Sequence, residues 1–288
     1  MNFPGTGIYE MTAEEYFSID AASNSGLKLI AQSPLHFMDS KINPKAPTEA
    51  MIFGTAVHSA ILEPELFAES IVVLPYDRPN RPSSRQINAK KPSAETLAAI
   101  DWWADFDRVN AGKSVIDTKT YAKVLAVRSA VMNNPDAAAI LNDGDAEQAV
   151  FWIDEDTGVE CKARMDFIGS CIADVKTTND ASANEFRRTI GSYRYHVQAA
   201  FYLDGLFAAD NSIPHNTAFK FIAVEKEPPF AVAVYWLGRE STELGRRIYK
   251  RDLNAYAMCK ALNSWPGYPA GGQEIDLNRW EFTKGEQE

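Results

Sequence analysis

The stretch Arg164-Met165-Asp166-Phe167-Ile168-Gly169-Ser170-Cys171-Ile172-Ala173-Asp174-Val175-Lys176-Thr177 decides the fold. Two apolar runs flank a Gly-Ser pair, which predicts adjacent strands, one closing near Ile168 and the next covering Ser170 to Lys176. Side chains alternate across a strand, so Asp174 and Lys176 share one face while Val175 points to the other. Asp166, near the end of the preceding strand, is placed to reach the same spot, and the Val175 carbonyl is available as a further oxygen donor.

Outward from this stretch the period of the chain stays strand-like, then becomes helical. Ala149 to Ile153, the turn Asp154-Glu155-Asp156-Thr157-Gly158 and Val159 to Ile168 predict a hairpin. Helices are expected over about 183–190 and 193–209, strands near 217–224 and 230–237, and a long helix over about 241–262. Toward the N-terminus, Thr12-Ala13-Glu14-Glu15 reads as a capping box. Further helices are expected from Ser25, from Pro34 and over Thr48 to Leu62, the last stopping before Pro64 and carrying His58. Ile71 to Leu74 is strand-like. Asp77 to Pro92, with Pro79 and Pro82 inside it, reads as an irregular loop before helices over about 93–109 and 118–132. The expectation is one α/β domain, a mixed central sheet flanked by helices. Residues 1–140 would be its mainly helical part, 141–265 its sheet and site, and 266–288 a tail.

The 288 residues are 45% apolar and 24% charged, enough to bury a core without disulfides or a structural metal. No apolar run approaches a membrane span, and Met1 to Gly5 does not open like a secretory signal, so a cytoplasmic protein is expected. Lys plus Arg number 29 and Asp plus Glu 39, a net charge of −10. A phosphate-binding surface would therefore have to be local.

An acidic residue two before a lysine occurs four times: Asp39/Lys41, Asp117/Lys119, Glu160/Lys162 and Asp174/Lys176. Only the last ends an apolar strand beside another carboxylate. Such a pair can be a plain strand-end ion pair worth ~0–1 kcal/mol. With Asp166 and a carbonyl it can also hold Mg²⁺, which takes hard oxygen ligands, polarises a phosphodiester and activates water. Gln198 and Tyr202, four apart on the following helix, would turn one face toward the strand ends. His58 alone reads more readily as a satisfied core histidine than as a ligand.

Taken in order, Gly54-Thr55-Ala56-Val57-His58, Arg164-Met165-Asp166-Phe167-Ile168, Asp174-Val175-Lys176-Thr177 and Gln198-Ala199-Ala200-Phe201-Tyr202 resemble the motifs of PD-(D/E)xK exonucleases of the RecE (exonuclease VIII) type. The resemblance covers about residues 8–265. It implies the restriction-endonuclease-like fold and a Mg²⁺-dependent enzyme, with Mn²⁺ as a substitute, that degrades linear double-stranded DNA from 5′ ends and leaves 3′ tails for recombination and repair in prophage systems. It further implies a ring-shaped homo-oligomer, tetrameric in RecE, and a RecT-type annealing partner. His58, Asp166 and Asp174 become metal ligands, Lys176 the catalytic lysine, and Gln198 and Tyr202 its supports. Some relatives hold an iron–sulfur cluster on four cysteines; the three here, Cys161, Cys171 and Cys259, do not supply that set.

DNA contacts are expected from two cationic groups, Arg78, Arg81, Arg85, Lys90 and Lys91 in the Pro-rich segment, and Arg187, Arg188 and Arg194 beside the site helices. A ring would let such residues line a channel while the acidic excess faces outward. Trp102-Trp103 would be either a strand-splitting wedge or ordinary core. An endonuclease or junction resolvase on the same fold, and a non-catalytic DNA-end-binding scaffold, are the alternative functions.

Overall fold

A computed structural model of the chain describes residues 1–277; the end of the expected tail, 278–288, lies outside the described residues. The elements in chain order are β1 (Gly7–Tyr9), α1 (Ala13–Ser18), α2 (Asn24–Gln32), α3 (Pro34–Ile42), α4 (Glu49–Leu62), α5 (Pro64–Ser70), β2 (Ile71–Val73), α6 (Ser84–Ile87), α7 (Ala94–Val109), β3 (Ser114–Ile116), α8 (Thr118–Asn133) and α9 (Pro135–Leu141). The second half follows with β4 (Gly144–Ile153), β5 (Glu160–Gly169), β6 (Ile172–Thr178), α10 (Ala183–Tyr193), α11 (Tyr195–Ala209), β7 (Phe219–Glu225), β8 (Val232–Trp236) and α12 (Arg239–Leu262).

Six strands form one mixed sheet in the order β1-β4-β5-β6-β7-β8. Every pairing is antiparallel except β6 with β7. Parallel neighbours need a long crossover, and α10 and α11 supply it. Alternation then builds two cores. On one face Met165, Ile172 and Phe221 pack with Val197, Phe201 and Leu206 of α11 and Leu253 of α12. On the other, Ala173, Val175 and Ile222 pack with Val57 of α4 and Val124 and Val127 of α8. Helices α4 and α8 thus cover one side of the sheet, while α2 and α3 join α11 and α12 on the other. A separate two-stranded parallel sheet joins β2 to β3. Where α12 crosses α11, a Cβ on Gly245 would lie 2.0 Å from the His196 carbonyl oxygen, so only glycine allows this approach.

Local sequence sets the helix starts. Thr12 and Glu15 form the expected capping box, and Thr48 and Ser93 accept from backbone N–H groups at the starts of α4 and α7. The other acid-x-lysine matches have structural roles. Asp117 caps α8, and Asp39 and Lys41 lie on α3. Buried Lys162 donates to the Tyr16 and Ile19 carbonyls at the end of α1, at 2.8 and 2.5 Å. The segment expected to be an irregular loop, Asp77 to Pro92, contains α6, because Ser83 and Gln86 make a capping box there. Sequence reading also missed β1, β3, α5 and α9.

Candidate active site

The site begins as an interruption of the sheet. β4 and β5 pair Ala146 with Phe167 and Gln148 with Met165, so Glu147 faces Asp166. β5 and β6 pair Ile168 with Ile172 and Phe167 with Ala173. One step further the same register would oppose Asp166 to Asp174, but the ladder stops. The Asp166 carboxylate instead accepts the Val175 N–H at 2.8 Å. The strands fork there, and three carboxylates, Glu147, Asp166 and Asp174, stand in one row across β4, β5 and β6. Alternation breaks at the same level: Met165 belongs to the core under α11, whereas Phe167 belongs to the core under α4. Glu147 has φ of 53°, a left-handed value that a glutamate adopts only where its surroundings hold it.

Helix α4 brings His58 to this row, with Nδ1 3.3 Å from Asp166 Oδ2. One ligand atom each from His58, Glu147 and Asp166 lie within 4.8 Å of one another. Asp174 is 1% exposed. Its Oδ1 accepts from Gln198 Nε2 at 2.6 Å, and its Oδ2 lies 2.5 Å from Lys176 Nζ. The Lys176 ammonium also sits over the Tyr195 ring, 4.9 Å from its centre. Tyr202, one turn after Gln198, packs against the same core, where burial raises its phenol pKa well above the ordinary value. Arg164, two residues before Asp166, lies with Nε 2.6 Å from Glu147 Oε2 and also faces Glu63 at 3.6 Å.

The electrostatics show a shortage of positive charge. Burial, with Asp166 adding repulsion, pushes Glu147 up to about 7. Burial also raises Asp174, and Lys176 offsets this only in part. Burial alone would lower the Lys176 pKa, but Asp174 and Asp166 outweigh it and hold it above the usual lysine value. A single ammonium shared by several carboxylates is stabilised while the carboxylates stay under-compensated. Carboxylate oxygens with one imidazole nitrogen, short of cationic charge, suit a divalent ion of the Mg²⁺ or Mn²⁺ type. The residues present fit such an ion.

The structure thus gathers His58, Asp166, Asp174, Lys176, Gln198 and Tyr202 around one fork. The expected ligand set changes in three respects. Glu147, unforeseen, joins His58 and Asp166; Asp174 falls outside that group, its oxygens facing Gln198 and Lys176; and at Val175 the contact made is through the N–H. Arg164 and Tyr195 were also missed.

The cationic candidates divide. Arg194 forms an ion pair with Asp252, which is 2% exposed, so it is a structural residue and not a free contact for DNA. Arg188 pairs with Glu185, while Arg187 is exposed. Arg81 binds Asp107 at 2.7 Å and stacks on Trp103 at 4.1 Å. Arg78 donates to the Pro75 carbonyl, and Arg85, Lys90 and Lys91 are exposed. Trp103 is buried and donates to the Pro79 carbonyl, with Trp102 edge-on to it, so this pair packs the segment against α7.

No helix among the described residues is long and apolar enough to cross a membrane. No curated protein matches the sequence. A crystal structure of a "Putative exonuclease" from Eubacterium rectale matches with a TM-score of 0.54 at 13% identity, covering 96% of this chain and 99% of that one. At that identity the likeness bears on the fold. The family model described as a PDDEXK-like domain of unknown function matches residues 23–277, which include His58 and the whole β4-to-α12 unit. With that match over most of its length and the forked strands carrying the motif residues, the chain belongs to this PDDEXK-like family (DUF3799) and has the PD-(D/E)xK nuclease fold.

Proposed function

We propose that the protein is a Mg²⁺-dependent exodeoxyribonuclease that degrades linear double-stranded DNA 5′→3′ and leaves 3′ single-stranded tails for recombination by strand annealing. The observation that carries this reading is the row Glu147, Asp166 and Asp174 beside Lys176 in the β5/β6 fork. His58, Asp166, Asp174 and Glu147 would hold the ion, with the Val175 carbonyl as a further oxygen. When bound, the ion supplies Lewis acidity toward the phosphodiester and a more acidic water.

The remaining roles belong to the chain itself. In the metal-free protein Asp174 and Asp166 hold the Lys176 pKa above the usual lysine value, and its ammonium is placed to donate to the attacking water or the phosphate. Gln198 fixes the Asp174 carboxylate by donating to Oδ1. Tyr202 fills the core behind Gln198. Arg187 and the exposed cations of the Pro-rich segment give an acidic protein a local attraction for phosphate. In keeping with the resemblance to RecE, the reading includes a homo-oligomeric ring, tetrameric as there, and a RecT-type partner that receives the 3′ tail.

The test is nucleotide release from linear duplex labelled at the 5′ or 3′ end, with Mg²⁺ and then with EDTA. Release from the 5′ end that stops in EDTA is expected, with covalently closed circles left intact. Cutting of closed circles would make the protein an endonuclease. End binding without release would make it a scaffold.

A further inference from the structure

An aromatic surface adjoins the site and has no role in the chemistry just described. α10 ends at Tyr193 and α11 begins at Tyr195. Between them Arg194 is left-handed, with φ of 63°. Its guanidinium is tied to buried Asp252 of α12, which fixes the bend. The bend lays the two tyrosines one on the other, ring centres 5.7 Å apart and 22° from parallel. Tyr195 is anchored from behind by Phe221, 5.9 Å away, and it faces the Lys176 ammonium. Tyr193 is 58% exposed. Exposed Lys28 of α2 holds its ammonium 5.6 Å from the Tyr193 ring.

From Asp174 the order is therefore carboxylate, ammonium, fixed ring, exposed ring, ammonium. Large aromatic side chains ordinarily bury their faces, and a tyrosine left open on a rigid support two stacking steps from a catalytic lysine is suited to a flat partner. We propose that Tyr193 is a positioning residue that stacks an unpaired nucleobase of the strand being cut, on the far side of Tyr195 from the scissile phosphate held at Lys176. Tyr195 is its rigid backing. The base takes the place of the Lys28 ammonium over the ring, and that ammonium moves to the adjoining phosphate. Every base has a π-face, so the contact is indifferent to sequence, as end-directed degradation requires. It also holds the terminal nucleotide out of the duplex. This inference rests on the nuclease reading for its substrate but is tested by binding alone.

The experiment uses the full chain with Ca²⁺ in place of Mg²⁺ and a linear duplex with one unpaired 2-aminopurine overhanging each 5′ end, a base that is bright until it stacks. Wild type and Tyr193→Phe are expected to quench the probe on binding. Tyr193→Ala should leave it bright and bind about ten-fold more weakly, within the range for loss of one stacked base. Equal quenching by all three proteins, or equal loss in the Phe and Ala variants, overturns the proposal. So does a Tyr193→Ala variant that changes only the sedimentation of the protein, which would make the ring a subunit contact. A wild type that binds and quenches but releases no nucleotide with Mg²⁺ keeps this inference and loses the catalytic reading. A wild type that does not bind linear duplex loses both.

Discussion

Lys176 lies between the Asp174 carboxylate and the face of Tyr195, so its ammonium is held from both sides. Replacing it with Ala should lower nucleotide release by at least about a hundred-fold, the scale for losing one preorganised donor to a transition state. Binding of linear duplex with Ca²⁺ should persist; release close to wild type would remove Lys176 from the chemistry. Glu147 makes a pH prediction. Its pKa is about 7 in the folded protein and near 4.5 unfolded, so the folded state binds more protons between those values. The Glu147 contribution to metal-free stability should therefore fall as pH rises from about 4.5 to 7, by about 2.5 kcal/mol. Glu147→Gln should flatten the slope, and urea denaturation in EDTA across that range measures it. Glu147 was not legible as a site residue because no motif surrounds it in Asp145-Ala146-Glu147-Gln148. Its position was nonetheless countable: six residues back from Ile153 and six forward from Glu160, the rung beside the turn, meet at Glu147 and Asp166.

The elements that matter most are those that aim the site, and the bend between α10 and α11 is the one most dependent on a single pair. Asp252 accepts from both Arg194 and Arg251 while almost wholly buried. Asp252→Ala leaves the partly buried Arg194 without its partner at a left-handed position and should cost about 1–3 kcal/mol, read as a lowered urea midpoint. Most element boundaries were legible because local chemistry sets them. Thr12, Thr48, Ser93 and Asp117 each cap a helix, and Asp154 to Gly158 turns the hairpin. The missed elements have equally physical reasons. β1 and β3 are three residues long and exist only through their partners. Pro64 reads as the stop of α4 yet opens α5, and Pro135 opens α9 in the same way, since a first-turn residue needs no N–H donor.

At the scale of the whole molecule, a net charge of −10 has to coexist with a polyanionic substrate. Arg81, Arg188 and Arg194 are already paired with carboxylates, so fewer cations are available for phosphate than the sequence suggests. A footprint of about four phosphate contacts predicts roughly a hundred-fold loss of affinity for linear duplex between about 50 and 200 mM salt. A flat salt titration would count against DNA as the ligand. The ordered motifs could be read together because the fold brings residues 58 to 202 to one fork; the cationic residues could not, because whether an arginine is free depends on neighbours far along the chain, as Asp252 is from Arg194.

The fork has a practical corollary. Asp166 is both a candidate ligand and the group that stands in for a missing backbone partner, since its carboxylate receives the Val175 N–H that an intact ladder would have satisfied. Chemistry and scaffolding converge on one oxygen. An inactive substrate-trapping form made by altering Asp166 would mix a lost function with a reshaped cleft, whereas one made at Lys176 would keep the cleft open and the substrate seated.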